Sequence, residues 1–393
     1  MTSRFLQIHT LTGYAATLLN RDDIGKAKRL PFGGAERIRV SSQCLKRHWR
    51  EATGEWSLRD LGSGKSQRSR RLFSQVIAER LRKEGMQDEP IVTVLTPIRS
   101  AVLGESIKAR ETRKARKSGD EPANPLDQLR TEQVIVLGEP EIGFLTQLAQ
   151  ELHRDSADET AKAVTSYFKG KETRGNLAAL RQNVGMGIDA ALFGRMVTSD
   201  VMARSDAAVH VSHSFTVHRE NAEPDYFSAL DDLVTEEGEL GSGHINTSEL
   251  TSGLFYSYVV VDLPHLTSNL SGDAELAANV LRRLIHLIAT VSPGAKRGAT
   301  APYACAELMV AEIGSRQPRT LANAFMKPVP LGKADVKAEA AGALGGYLER
   351  YDAMYGAHEE RRFATMIEPG PAHSGERVNL AALADWAATQ VAE

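Results

Sequence analysis

The segment Asn20–Arg50 constrains this chain most, because a short alternating strand runs directly into a basic helix. Residues Glu36–Ser41 alternate between polar and apolar, which predicts a strand whose outward face carries Arg37, Arg39 and Ser41. Ser41 is also a favoured N-cap residue, and the start of a helix offers backbone N–H groups to an anion. The pattern predicts a surface on which a polyanion lies, held mainly through its phosphates.

The predicted helix carries polar residues at helical spacing. Gln43, Lys46 or Arg47, and Arg50 follow the i, i+3/4, i+7 pattern and so line one stripe. A basic face on an isolated helix is usually just solvated. Because strand, cap and upstream loop converge here, we interpret the stretch as a site for a nucleic-acid backbone. The basic residues of the upstream loop are Arg21, Lys26, Lys28 and Arg29.

Length and composition set the outer bounds. The chain has 393 residues, of which 42% are hydrophobic, so a large core in about two compact units is expected. Its formal net charge of -2 means that any nucleic-acid contact depends on local clustering of positive charge. Two cysteines, Cys44 and Cys305, exclude a disulfide framework and a cysteine-rich zinc site. No apolar run reaches the length of a membrane span, and a cytoplasmic protein is expected.

Strand and helix patterns alternate along the chain in blocks. Strands are predicted at Arg4–Leu11, Ala207–His218 and Gly253–Leu263, and a strong helix at Ala274–Thr290. Between the first and second strands, residues 56–189 are charged and largely helical. This order predicts an α+β protein in which one domain is interrupted by a helical insertion.

A basic segment interrupts the helical block at Gly104–Pro125. A mobile surface loop is the default interpretation. The functional alternative is a second electrostatic contact to nucleic acid. The candidate DNA-binding residues are Lys108, Arg110, Arg113, Lys114, Arg116 and Lys117.

The long insertion Arg219–Ser252 carries apolar residues in an acidic surrounding. Tyr226, Phe227 and Ile245 are candidates for contact with another subunit or with splayed bases, because loops seldom expose such residues without a partner. Met196 follows a glycine-terminated helix, and it either packs in a core or acts as a wedge between bases.

Catalytic and metal motifs are weak. On a strand, His210 and His218 face opposite to His213, so no metal site is predicted there. Asp22 and Asp23 could hold Mg²⁺ in a nuclease, although adjacent loop carboxylates more often cap a helix or pair with arginine. No P-loop, dinucleotide fingerprint or convincing Ser-His-Asp set is present.

The chain closely resembles the CasC family, the repeated crRNA-binding backbone subunits of the type I-E CRISPR-associated Cascade complex. The ordered motifs that carry the resemblance are NRDD (Asn20–Asp23), FGG (Phe32–Gly34), R-x-R-V-S-S-Q-x-L-K-R (Arg37–Arg47), GRMVTS (Gly194–Ser199), DYFSALDDL (Asp225–Leu233), SGLFYSY (Ser252–Tyr258), VSPGAK (Val291–Lys296) and LANAFMK (Leu321–Lys327).

The resemblance implies an RRM-type, ferredoxin-like palm at residues 1–55 and 190–393, a helical finger domain at 56–189 and a β-hairpin thumb at about 219–252. It implies a non-catalytic scaffold without a cofactor, which oligomerises along the crRNA and supports binding of target DNA. Further copies of itself, other Cascade subunits and a recruited helicase-nuclease are the implied partners, and no membrane is involved.

The resemblance also assigns residues. The implied contacts to the guide backbone are Arg21, Lys28, Ser41, Gln43, Lys46 and Arg50, with Lys296 as a further phosphate contact. Met196 is the implied base-step wedge, and Tyr226, Phe227 and Ile245 match positions that stack on bases or push between them. The alternative function is a metal-dependent endoribonuclease backbone subunit that cuts target RNA through Asp22 or Asp23.

Overall fold

A computed structural model of the chain describes residues 4–61, 66–103, 124–169, 187–194, 206–230, 242–332 and 335–391; for residues 169, 226–230 and 242–247 the backbone is described without the side chains. The chain divides into two compact units. The sheet unit comprises Met1–Ser57, Val209–Leu263 and Ala278–Glu393, and the helical unit comprises Leu58–Ala208 and Pro264–Ala277. The predicted α+β class is confirmed by a large, mostly antiparallel sheet accompanied by helices.

The strands are β1 (Phe5–Thr17), β2 (Arg29–Phe32), β3 (Ala35–Val40), β4 (Ser66–Ser69), β5 (Ile135–Gly138), β6 (Val209–Val211), β7 (Ser214–Thr216), β8 (Ala222–Leu230), β9 (Ser242–Asp262), β10 (Leu308–Gly314), β11 (Glu360–Thr365) and β12 (Glu376–Arg377). The α-helices are α1 (Ser42–Glu51), α2 (Ala78–Lys83), α3 (Asp88–Leu103), α4 (Glu139–Leu152), α5 (Ala157–Lys169), α6 (Ile188–Phe193), α7 (Leu263–Asn269), α8 (Ala274–Thr290), α9 (Arg297–Thr300), α10 (Val336–Tyr355) and α11 (Leu380–Thr389).

Strand β9 organises the sheet unit. Over the described residues the sheet has ten strands in the order β12-β11-β10-β1-β9-β7-β3-β2, with β6 and β8 also paired to β9. The second half of β9 pairs with β1, from Asp262 opposite Phe5 to Thr251 opposite Thr17. Its first half pairs with β8 in an antiparallel ladder that begins where Ala222 lies opposite Thr251. The predicted insertion is therefore a β-hairpin that continues a strand of the sheet.

Both faces of this sheet are covered. On one face, apolar side chains of α10, including Leu344 and Leu348, pack with sheet residues such as Tyr256 and Val310. On the other face, Leu45 and Trp49 of α1 help to line a cavity of about 30 Å³, large enough for one water molecule. Because α1 buries this apolar pair, its position on the sheet is fixed by burial of hydrophobic surface.

The helical unit has its own core. Ile91, Leu95 and Ile98 of α3 are buried against apolar residues of α2, α4 and α5. Within the predicted helical block, Leu72–Ile77 is a π-helical segment that continues directly into α2. The two-stranded sheet β4–β5 belongs to this unit.

Two further predictions in the sheet unit have different outcomes. The helix predicted at Ala274–Thr290 has those bounds in the structure. The single strand predicted at Ala207–His218 is two short strands, β6 and β7, interrupted at Ser212 and His213. The pairing with β9 shifts by one residue across this break, from Val211 opposite Val259 to Phe215 opposite Tyr256, so Val211 and Phe215 lie on opposite faces of the sheet.

A buried ionic network joins β1, β10 and β11. Glu312 accepts hydrogen bonds from Arg319 (2.6 and 2.7 Å), Arg361 (2.5 Å) and the ring of His9 (3.0 Å). Burial would raise the pKa of the Glu312 carboxyl, but the hydrogen bonds from His9 and Arg319 outweigh it and hold the pKa below its ordinary value. Burial lowers the pKa of His9, so its neutral ring accepts at Nδ1 from the Tyr256 hydroxyl (2.9 Å).

We predict that Glu312→Gln lowers the free energy of unfolding by about 3–5 kcal/mol, because it leaves two buried arginines without their shared carboxylate. Denaturant unfolding measures this loss. A glutamate with a depressed folded-state pKa stabilises the fold above its unfolded pKa, so the difference between variant and wild type should narrow below about pH 4.3. Glu376→Gln is the control, since Glu376 is 63% exposed and pairs with Arg362 at the surface. Equal losses in both variants would contradict the account.

Candidate nucleic-acid interface

Three side chains accept hydrogen bonds from backbone amides at the start of α1. The Ser41 hydroxyl accepts from the Cys44 amide (3.3 Å), which confirms the predicted N-cap. The Ser41 amide donates to Asn20 Oδ1 (2.9 Å), and the Ser42 amide donates to His213 Nδ1 (3.2 Å). Protein acceptors thus satisfy the Ser42 and Cys44 amides, two of the N–H groups that the sequence analysis expects at the start of this helix.

Arg37 lies in the core and not on an outward face of β3. Its guanidinium donates to the backbone carbonyls of Thr216 (2.9 Å), Phe325 (2.9 Å) and Phe32 (3.3 Å), and the side chain is fully buried. Burial lowers the pKa of Arg37, and the charge of Arg219 lowers it further. The alternating pattern predicted an outward-facing arginine, but both faces of β3 are covered. The hydrogen bonds of Arg37 hold three segments of the chain together.

The FGG and LANAFMK motifs come together at Arg37, which donates to Phe32 of the first motif and to Phe325 of the second. Gly33 has φ +60°, and a Cβ there would lie 1.6 Å from the carbonyl oxygen of Met326. Only glycine fits both the backbone angle and the close approach. Together with the bond from Arg37 to Phe325, this contact fixes the β2–β3 turn.

The loop before β2 is closed by Asp22. Its Oδ1 accepts from the amides of Ile24 (3.1 Å) and Lys26 (2.8 Å), and the Lys28 amide donates to the Asn20 carbonyl (3.0 Å). Asp22 therefore shapes the loop by bonding to the backbone, as short polar side chains do in turns.

Arg29 clamps this loop to the base of the hairpin. Its guanidinium forms ion pairs with Glu220 and with Glu249 of β9, and it donates to the Ala27 carbonyl (3.0 Å). The Ala27 amide donates in turn to Glu249 (2.6 Å). Arg29 is thus occupied by two carboxylates, which makes it a structural cation.

Three cations from separate parts of the sequence converge beside α1. Burial raises the pKa of the Cys44 thiol, while the positive charges of Arg47, Lys28 and Arg297 act against it. Burial lowers the pKa of the neighbouring His48, and the charges of Arg297 and Arg47 lower it further. We call Lys28, Arg47 and Arg297 the cationic cluster. Backbone contacts bring these segments together: the Cys44 thiol lies 4.0 Å from the Leu19 carbonyl oxygen, and the Ala295 amide donates to the adjacent Leu18 carbonyl (2.9 Å).

Arg39 extends the positive surface toward β3, where it lies beside His213. The pKa of His213 is lowered by burial and then by the charges of Arg39 and Lys28. Arg39 donates to the Arg29 carbonyl (3.1 Å) and lies 3.5 Å from His213 Nδ1. Lys28 therefore joins the cationic cluster to this pair.

The other predicted palm residues are found around the same helix. Arg21 and Gln43 are exposed, and Lys46 is half-buried, which lowers its pKa. Arg50 lies 3.5 Å from Glu51, which also pairs with Arg47 (3.0 Å). Lys296 is half-buried just before α9. Their predicted roles toward RNA stay predictions.

Some predicted residues lie outside the described part of the chain. These are Met196 and the basic-segment residues Lys108, Arg110, Arg113, Lys114, Arg116 and Lys117. Tyr226 and Phe227 are placed by their backbone in β8, and Ile245 in β9, where Ile245 lies opposite Ser228. Their side chains are outside the description.

Arg297 and His213 lie in this region but are not among the RNA-binding residues predicted from the sequence. Arg297 directly follows Lys296 in the motif VSPGAK-R, which was the available signal. Nothing in the sequence pairs His213 with Ser42, because that contact depends on β7 lying beside β3. In the described residues, no group of three or more His, Cys, Asp or Glu side chains could hold a metal ion, and no helix has the length and apolarity to cross a membrane.

The fold and the cationic cluster define an α+β protein with a phosphate-compatible surface. The chain belongs to the CT1975-like protein family, whose model matches residues 6–388. It is similar to a chain of a "CRISPR RNA-guided surveillance complex, pre-nicking", with 29% identity, a TM-score of 0.80 and coverage of 98% of this chain and 100% of that one. A chain of a "CRISPR RNA-guided surveillance complex" has 25% identity, a TM-score of 0.68 and coverage of 98% and 99%. No curated protein matches. The predicted kinship with CRISPR-associated proteins is confirmed.

We predict that Arg29→Ala loosens the base of the hairpin, because Glu220 and Glu249 lose their common cation. Loss of a charge-assisted hydrogen bond of about 1.5–3 kcal/mol should raise amide hydrogen exchange in Ala222–Asp225 by about tenfold or more. Arg47→Ala is the control, since its ion pair with Glu51 lies within α1. Unchanged protection in the Arg29 variant would show that the clamp is not needed.

Proposed function

We propose that this chain is the non-catalytic crRNA-binding backbone subunit of a type I-E Cascade surveillance complex. Several copies oligomerise along the spacer of one guide RNA and support crRNA-guided binding of target DNA. The partners are the crRNA, further copies of the chain, other Cascade subunits, the target DNA and a recruited helicase-nuclease. The observation that carries the proposal is the cationic cluster beside α1, in a chain similar over 98% of its length to one from an RNA-guided complex.

The cationic cluster suits a sugar–phosphate chain. Arg47 and Arg297 are exposed, and Lys28 stands on the stem of a loop that is closed by backbone hydrogen bonds. The pair between Arg47 and Glu51 is a surface ion pair within one helix and costs little to open. A phosphate can therefore replace the carboxylate at Arg47 without disturbing the fold.

Guide sequences differ, so the protein must hold the backbone and leave the Watson–Crick edges open. Lysine and arginine contacts to phosphate meet this need because they carry no base information. Each copy needs only a few such contacts, since repetition along one RNA multiplies weak sites into a stable assembly. A chain with a net charge of -2 can bind RNA in this way only through a local cluster.

We predict that Lys28→Ala/Arg47→Ala/Arg297→Ala weakens binding of single-stranded RNA whatever its sequence. Loss of three phosphate contacts should lower the slope of log affinity against log salt by about 2, at about 0.7 per contact. Filter binding of two RNAs of unrelated sequence across a salt series measures both effects.

The matched control removes three other arginines that pair with carboxylates: Arg4→Ala/Arg282→Ala/Arg377→Ala. This control variant changes the net charge by the same amount as the cationic-cluster variant. We expect it to keep the wild-type affinity for RNA and the wild-type slope of log affinity against log salt. If the two triple variants lose affinity equally, binding depends on overall charge and the cluster has no special role.

The absence of catalysis is a separate part of the proposal. Asp22 Oδ1 is engaged by two loop amides, which supports a structural role for this carboxylate. We expect the assembled complex, incubated with complementary RNA and Mg²⁺, to leave that RNA intact. Regular cleavage that is lost in Asp22→Ala or Asp23→Ala would instead establish the endoribonuclease alternative.

A further inference from the structure

We propose that Tyr303 is a stacking platform for a base of the single-stranded RNA whose phosphates the cationic cluster holds. This inference rests on the proposed function and adds a base contact to it. The contact is to the face of a base, so it does not read sequence.

Tyr303 exposes most of its surface in the loop between α9 and β10. Its side chain is 75% exposed, whereas aromatic residues usually bury their large apolar surface. A single exposed apolar residue is ordinary by itself. Tyr303 differs because its loop is fixed by hydrogen bonds and also carries Arg297.

The loop that carries Tyr303 is held in one conformation. The Ser292 hydroxyl donates to the Ala304 carbonyl (2.7 Å) and accepts from the Ala304 amide (2.9 Å), so one side chain closes both ends of the loop. The Ala301 amide donates to the Arg297 carbonyl (3.0 Å). Ala301 also adopts φ 39°, a left-handed conformation that is costly for alanine and persists only when its surroundings impose it.

The same loop carries a member of the cationic cluster. A Cβ on Gly294 would lie 2.6 Å from Pro302 Cγ and 3.1 Å from Arg297 Cγ, so the missing side chain lets both residues pack against this glycine. Pro302 directly precedes Tyr303, which places the phenol next to a residue that lies beside Arg297. The Ala295 amide donates to the Leu18 carbonyl (2.9 Å), which anchors the loop at the end of β1.

A fixed aromatic ring beside a cationic track is the arrangement that single-strand-binding proteins use. Every base presents a π-face, so stacking adds affinity for any sequence while the cations hold the backbone. A rigid loop lowers the entropic cost of the contact, because the ring is already in place before the base arrives. Tyr303 can therefore hold an unpaired base without selecting its identity.

The test compares two ligands of equal charge with the full-length chain. One is a single-stranded RNA of about 8 nucleotides, within the range covered by one binding module, and the other is an abasic oligonucleotide with the same number of phosphates. We expect Tyr303→Ala to weaken binding of the RNA about 5- to 100-fold. Tyr303→Phe should bind it like wild type, and Tyr303→Ala should bind the abasic ligand like wild type.

Tyr355→Ala is the control, because Tyr355 is also an exposed tyrosine (51%) but is the last residue of helix α10. It should leave both affinities unchanged. Wild-type RNA affinity in Tyr303→Ala, or an equal loss for RNA and abasic ligand, would overturn the inference. A loss of self-association with unchanged RNA affinity would assign Tyr303 to a contact between copies and would also overturn it. Failure of the proposed function is distinguishable, since the cationic-cluster variant would then bind RNA like wild type.

Discussion

The backbone pairing of β9 is the constraint on which the sheet unit depends. Its 21 residues pair with β1 on one side, with β6 and β7 on the other, and with β8 beyond them. The hairpin is thus a direct extension of a central strand. The ion pair between Arg29 and Glu249 attaches the basic loop to this strand, so the loop, the hairpin base and the start of α1 share one support.

Charge is divided between structural and surface roles over short distances in the sequence. Arg37 is buried among carbonyl groups and Arg29 is paired with two carboxylates, so both serve the fold. The positive charges of Lys28, Arg47 and Arg297 act on the Cys44 thiol of α1 and lower its pKa against the effect of burial. Arg29 engages Glu220 and Glu249, and Asp22 accepts hydrogen bonds from two loop amides, so these three acids serve the structure of the loop and the hairpin base. The surface stays positive in a chain that is slightly acidic overall.

The sequence predicted those elements that depend on interactions between residues close together in the chain. The helix at Ala274–Thr290 and the N-cap at Ser41 follow from periodicity and capping chemistry, and both are confirmed. Alternation could not show that Arg37 is buried, because both faces of β3 are covered by elements distant in sequence. The position of Arg297 near Cys44 likewise depends on the hydrogen bond that anchors the loop after α8 at the end of β1, a contact that no periodicity encodes. The family resemblance supplied the candidate site, and the structure supplied the division of roles within it.

The central claim is that RNA lies across the surface formed by the loop after β1, helix α1 and the loop after α8. Ultraviolet crosslinking of the RNA-loaded assembly, followed by mass spectrometry of crosslinked peptides, tests it most directly. The account predicts crosslinks within residues 20–51 and 291–305 for guides of unrelated sequence. Crosslinks confined to other segments of the chain, or an assembly that purifies without RNA, would contradict it.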